Sequence, residues 1–206
     1  LTHCFYLNGR EGTINLDVYR TEFDNQVVVD IETPGKLSFS NLEGTSYANS
    51  IQADFMYELF DNFDVKVAYK INDVHTTYNG EEKISPLTPK NRALVNMSYA
   101  TNFEKWMFDL TWNYIGESRV PSYFPYETDY LFPEEMSDPF SLINAQVTKK
   151  FKDFSVYVGG ENLLSYTQEN PIIDAGNPTS SAFDASLIYA PINGRMIYVG
   201  FRFKIK

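Results

Sequence analysis

The side chains best suited to metal binding or to nucleophilic chemistry are few in this sequence: His3, His75 and the single cysteine Cys4. A transition-metal site needs several ligands converging on one point, and His3 and His75 stand far apart along the chain. No G-x-S-x-G, P-loop or H-E-x-x-H motif occurs, and nothing in the spacing gathers a serine, a histidine and an aspartate. One cysteine cannot form an internal disulfide. No catalytic residue, metal ligand or cofactor is therefore assigned. The richest remaining cluster suits noncovalent capture. Tyr123, Phe124, Tyr126, Tyr130 and Phe132 are interleaved with Glu127, Asp129, Glu134, Glu135 and Asp138. Aromatic faces stack on a flat or cyclic small molecule while polar groups fix its orientation. Tyr123, Tyr126 and Tyr130 are the expected ligand contacts. The competing reading is a solvated loop with local aromatic packing. The carboxylate spacing fits no known calcium loop.

The elements that must position this segment are strands. In an extended chain alternate side chains point to opposite faces. Ile51, Ala53, Phe55, Tyr57 and Leu59 share one face, and Gln52, Asp54, Met56 and Glu58 share the other. After a short turn, Val65, Val67, Tyr69 and Ile71 alternate with Lys66, Ala68, Lys70 and Asn72. The same alternation marks Trp106 to Tyr114, Ile143 to Val147, Phe154 to Val158 and Ile197 to Ile205. About nine such strands are predicted, the first one partial. Several reach the length of roughly 9–11 residues that a tilted strand needs to cross a bilayer.

The connections alternate as well. Short turns are expected near residues 8–12, 61–64, 101–104 and 151–153, and long loops near 25–46, 78–90, 117–139 and 165–192. Tight turns at one end and long loops at the other fit an antiparallel barrel in the bacterial outer membrane. Lipid offers no hydrogen bonds, so every backbone group in such a wall must pair with a neighbouring strand. Lys66, Lys70, Asp54, Glu58, Asp109, Lys150, Glu161 and Arg202 all fall on the polar face, which would line a wet lumen. Trp106, Trp112, Tyr99 and Tyr114 suit the interfacial girdles. Mean hydropathy is -0.32, as expected when half of each strand is polar. No run of about 18 apolar residues occurs, so no transmembrane helix is predicted. The formal charge of -10, without a cluster of Lys and Arg, argues against nucleic acid. No signal peptide opens the chain, and Leu1 to Leu7 already read as strand. An exported barrel needs such a signal, so a longer protein is expected upstream.

The final stretch, Asn193 to Lys206, resembles the C-terminal assembly signal of outer-membrane proteins, with Tyr198, Gly200, Phe203 and Ile205 on the pattern. It ends on Lys206 where that pattern often ends on an aromatic residue. Five further segments, in order, resemble TonB-dependent receptors of the Bacteroidetes kind. These are GTINLDVYRTEFDNQVVVD at 12–30, Ala48-Asn49-Ser50 leading into a long strand, Pro89-Lys90-Asn91-Arg92, Gly159-Gly160-Glu161-Asn162-Leu163-Leu164, and Ile188 to Arg195. The resemblance implies an all-β, antiparallel transmembrane barrel of 22 strands filled by an N-terminal plug. Residues 1–206 would supply about nine C-terminal strands of it, with the plug and the TonB box absent. It implies active uptake of a siderophore, a vitamin B12-like corrinoid or an oligosaccharide. The implied partners are outer-membrane lipid, the TonB complex through the missing N-terminal region, the barrel assembly machinery, the small-molecule ligand and a surface lipoprotein. Two other classes compete. A small outer-membrane lipase or acyltransferase would need His75 paired with a serine near the membrane face. A soluble β-sandwich for adhesion or binding would place Phe55, Trp112 and Val199 together in a dry interior.

Overall fold

Long alternating segments favour extended chain, and the computed structural model has it throughout. It describes residues 1–31, 36–78, 80–121, 136–181 and 183–204. The strands are β1 (Thr2–Leu7), β2 (Arg10–Glu22), β3 (Val27–Asp30), β4 (Ser38–Asn41), β5 (Ser46–Phe60), β6 (Phe63–Tyr78), β7 (Glu81–Ile84), β8 (Asn91–Ala100), β9 (Trp106–Ile115), β10 (Phe140–Lys150), β11 (Phe154–Glu161) and β12 (Met196–Phe203). One short 3-10 turn, Asn102–Glu104, joins β8 to β9. Nine strands run in the order β1-β2-β5-β6-β8-β9-β10-β11-β12, every neighbouring pair antiparallel. This is the nine-strand meander that the alternation predicts. The pair β3 and β4 forms a separate ribbon within the first long loop, and β7 adds to the far end of β6. These two small additions were not legible in the sequence.

Local chemistry explains the tight turns. Asn8 and Gly9 take φ of 52° and 76°, left-handed at both positions, as a two-residue hairpin turn requires. Asn62 sits at φ 61°, and its N–H donates to the Glu58 carboxylate at 2.8 Å. The turns at 101–105 and 151–153 lie at the same end of the sheet, and the long connections lie at the other.

Register assigns every wall side chain to a face. Ile14, Phe55, Val67, Val95, Trp112, Ile143 and their neighbours form one apolar surface across the sheet. It carries no charge between its two ends. Phe55 is 38% exposed and Val199 76% exposed, with no second layer of described residues covering them. Leaving a large apolar side chain in water forgoes about 1.5–3 kcal/mol, a loss that hydrocarbon tails remove. Among the described residues, Phe55 and Val199 do not share the dry interior that a soluble sandwich needs. The opposite face is laced by polar pairs instead. Asn15 Nδ2 donates to Asp54 at 2.8 Å, Asn96 Nδ2 to Thr111 Oγ1 at 2.8 Å, and Ser98 Oγ to Asp109 at 3.0 Å. All eight charged residues expected to face the lumen lie on this polar face.

Aromatic rings gather at both margins of the apolar face. At the turn end Phe60 stacks on Phe63 with centroids 4.6 Å apart, and Phe151 stacks on Phe154 at 4.5 Å. Phe63, Tyr99 and Phe108 continue that row at 6.2 and 6.3 Å. Toward the loop end Trp112 stacks on Tyr114 at 6.3 Å. The eight-residue separation of Trp106 and Tyr114 is roughly 27 Å along the strand. At a tilt near 40° that gives about 20 Å along the membrane normal, close to the usual apolar band of ~25 Å.

Candidate functional site: the lumenal wall and the last long loop

The buried apolar cluster of the described residues lies in the loops. Val120, Ile173 and Leu187 are buried together, with Ile31 and Tyr189 packed against them. The last loop, between β11 and β12, owes its shape to two buried amides. Asn162, at φ 49°, closes its base. Its Nδ2 donates to the Tyr166 carbonyl at 2.7 Å and the Asn193 carbonyl at 3.2 Å, and its Oδ1 accepts from the Tyr166 N–H at 3.0 Å. Asparagine tolerates the left-handed region because its side chain bonds locally. Arg195 Nε donates to the Leu163 carbonyl at 2.9 Å. The segments 159–164 and 188–195, which the sequence presents separately, therefore meet. Gln168 organises the next turn of chain. Its Nε2 donates to the Leu187 carbonyl at 2.9 Å, and its Oε1 accepts the N–H groups of Tyr189 at 2.9 Å and Ala190 at 3.2 Å.

These bonds hold residues 188–191 over the polar face of the wall. Between them lies a concavity of about 670 Å³, reaching Gln52, Lys66, Lys70, Arg92 and Asn113. Lys70 and Arg92 stand directly opposite each other on β6 and β8, an arrangement of like charges that destabilises a sheet. Lys66 lies four residues along β6 from Lys70. None of the three forms an ion pair among the described residues. The nearest carboxylate by register is Asp54, diagonal to both lysines and already accepting from Asn15. Burial, then the negative charges around it, pushes the Tyr189 hydroxyl up to about 12. It therefore stays protonated, able to donate, across the physiological range.

The expected site residues fall as follows. Tyr123, Tyr126 and Tyr130 lie outside the described residues, as does Ile205. Tyr198 and Gly200 lie on the polar face, and Phe203 on the apolar face opposite Phe154. Tyr198 and Gly200 belong to a reciprocal pair. The Tyr157 ring covers Gly200, the Tyr198 ring covers Gly159, and the two rings meet edge-on with centroids 6.2 Å apart. Tyr198 also donates to Gln146 at 3.1 Å. A Cβ at Gly200 would stand 2.4 Å from the Tyr157 ring. Gly200→Val is thus expected to displace that ring and weaken β11–β12 pairing by about 1–3 kcal/mol. The check is the unfolding midpoint of the assembled protein in denaturant, with Val199→Ile on the lipid face as the comparison that leaves it unchanged.

Sequence reasoning missed Gln168, and it read Arg92 and the roof segment only as parts of motifs that lead into strands. Gln168 carries no sequence signal, because its partners are backbone groups about 20 residues away. His75 stacks on Tyr47 at 5.2 Å with its Nδ1 3.1 Å from Asp73, and no serine hydroxyl bonds its ring among the described residues. No group of three or more His, Cys, Asp or Glu side chains able to hold a metal ion occurs among those residues.

Residues 5–163 match the model of the TonB dependent receptor-like β-barrel family. No curated protein matches the chain. Solved structures of similar fold include a mutant ferric enterobactin receptor of Pseudomonas aeruginosa in complex with enterobactin. Its TM-score is 0.64 at 14% identity, over 97% of this chain and 30% of that one. The siderophore receptor PiuA of Acinetobacter baumannii gives 0.58 at 13%, over 96% and 26%. The ferric-catecholate import receptor Fiu of E. coli K12 gives 0.60 at 13%, over 95% and 25%. At such identities the likeness is one of fold, and the chain spans less than a third of each relative. The fitted sheet, its lipid-suited outer face and the family match agree: this chain belongs to the TonB-dependent receptor β-barrel family and forms wall of a barrel in the bacterial outer membrane.

Proposed function

We propose that residues 1–206 are the C-terminal part of the barrel of a receptor that imports a scarce nutrient, with energy delivered through TonB. In this reading the rest of a 22-stranded wall and an N-terminal plug precede Leu1, and the barrel assembly machinery inserts the whole. The chain supplies wall and outer loops; the plug supplies the TonB contact. Tyr198, Gly200, Phe203 and Ile205 would serve assembly, and Tyr123, Tyr126 and Tyr130 would meet the ligand at the mouth. A surface lipoprotein would join only for an oligosaccharide. The family's members are transporters, and no covalent chemistry is assigned here.

The observation that carries the ligand class is the trio Lys66, Lys70 and Arg92 beneath the roof at 188–191, none of them ion-paired among the described residues. Cations held opposite each other favour an anionic cargo, since negative charge relieves their repulsion. An anionic iron chelate fits better than a neutral sugar, and siderophore receptors stand among the structural relatives. The test uses a strain lacking the full-length receptor, grown under iron limitation with single ferric siderophores. The wild-type gene should restore growth on at least one. A Lys70→Glu/Arg92→Glu pair should lower uptake of that chelate at least tenfold at equal surface expression. Restoration by neutral oligosaccharides or corrinoids alone would overturn the anionic reading, and no growth defect on any nutrient would overturn the receptor reading.

A further inference from the structure

The short-turn end of the wall carries an uneven distribution of charge. Near the β1–β2 and β5–β6 turns Arg10 stands among Glu11, Glu58, Asp61 and Asp64. Near the turns that join β8 to β9 and β10 to β11, and at the end of β12, Lys105, Lys149, Lys150, Lys152 and Lys204 stand with only Glu104 and Asp153. In a chain of formal charge -10 this is a local reversal of sign. Lys150 is neutralised by Glu104 and points to the lumen. Lys149 is different. Its register opposite Trp106 and Val156 turns it to the lipid face, at the margin of the apolar band. Its ammonium lies 4.7 Å from the Trp106 ring centroid and 5.3 Å from that of Phe151. It has no ion pair among the described residues. One turn away Lys105 lies 6.0 Å from the Phe103 ring, and Phe103 is 92% exposed.

An outward lysine between two interfacial rings keeps its stem on apolar surface and its charge at headgroup depth. The rings supply part of its stabilisation and leave its outer side open for a counter-anion. Short turns of outer-membrane barrels face the periplasm, so the neighbouring leaflet is the inner one. We infer that Lys149, framed by Trp106 and Phe151, is a binding site for the phosphate of an anionic phospholipid in that leaflet, with Lys105 and Lys152 on the adjoining turns adding positive charge. The ligand class is a phosphodiester headgroup with its acyl chains against Phe154, Val156 and Phe108. The site rests on the outer-membrane assignment but not on the identity of the cargo.

The test uses the full-length receptor in nanodiscs of phosphatidylcholine containing a minor fraction of phosphatidylglycerol, with bound lipid counted by native mass spectrometry. Wild type should retain phosphatidylglycerol over phosphatidylcholine, and raised salt should weaken the preference. Lys149→Gln should cut retention roughly fivefold, and Lys105→Gln/Lys149→Gln/Lys152→Gln at least tenfold. Lys149→Arg should preserve it, which separates loss of charge from loss of fold. Equal retention by wild type and the triple variant would overturn the site. So would inorganic phosphate competing as well as the lipid, since that result describes a free-anion site. A receptor that fails to insert and shows no heat-modifiable migration would instead strike at the membrane assignment.

Discussion

Leu110→Arg is expected to abolish assembly of the wall or to destabilise it by about 2–4 kcal/mol, the cost of a lipid-facing arginine at mid-bilayer. Leu110 lies midway along β9 between Trp106 and Tyr114, and its cross-strand neighbours are Met97 and Ala145. The side chain is 42% exposed, so the substitution meets no steric obstacle and the penalty is that of the charge alone. Its sequence neighbour supplies the control. Thr111 lies at the same depth on the polar face, where its hydroxyl accepts from Asn96. Thr111→Lys removes one hydrogen bond, worth about 1 kcal/mol, and sends the new charge into a wet lumen. Semi-native gels and urea titration of the full-length protein in lipid vesicles would separate the two. Thr111→Lys should migrate as a folded, heat-modifiable band and Leu110→Arg should not. Equal behaviour of the pair would mean that both faces meet the same medium, and the membrane wall would have to be given up.

Asn162→Ala is expected to release the last long loop while leaving the wall assembled. The asparagine holds a left-handed conformation and makes three side-chain hydrogen bonds to backbone groups of Tyr166 and Asn193. Alanine at that φ costs about 1–2 kcal/mol, and unpairing buried backbone groups costs about 1–3 kcal/mol more. Asn162→Gly restores the conformational freedom without the bonds, so it should fall between alanine and wild type. Hydrogen exchange over residues 162–195 reads the effect directly, because local opening exposes the amides that Gln168 and Asn162 protect. Protection lost in the order wild type, glycine, alanine, with heat-modifiable migration intact, is the expected outcome. Unchanged protection in the alanine variant would show that the loop is held by Val120, Ile173 and Leu187 instead. Release of the loop also removes the roof over Lys70 and Arg92, so uptake of an anionic cargo should fall with it.

The wall was legible residue by residue because its determinants are local. Ile51 to Leu59 alternate with Gln52 to Glu58, and that period of two fixes which face each residue takes once the strand forms. The inward placement of Lys66, Lys70, Asp109 and Arg202 followed without any knowledge of neighbours. Turn positions were legible for the same reason, since Asn8-Gly9 and Asp61-Asn62 carry their own conformational preferences. The ribbon of β3 and β4 and the added β7 were not, because four-residue strands inside polar loops have too few alternations to stand out. Arg92 was visible as a motif residue but not as the partner of Lys70, because register between strands is set by turn and loop geometry.

The sequence by itself determined a meander of about nine antiparallel strands with an oily side, a wet side, tight turns at one end and long loops at the other. Each of these is a property of neighbours within a dozen residues. The tertiary structure alone decided that Asn162 and Gln168 fold the last loop back over the lumen, that three cations gather beneath it, and that Lys149 stands between Trp106 and Phe151. Those features join groups far apart along the chain through backbone carbonyls, ring faces and charge, which carry no periodic mark that a sequence can display.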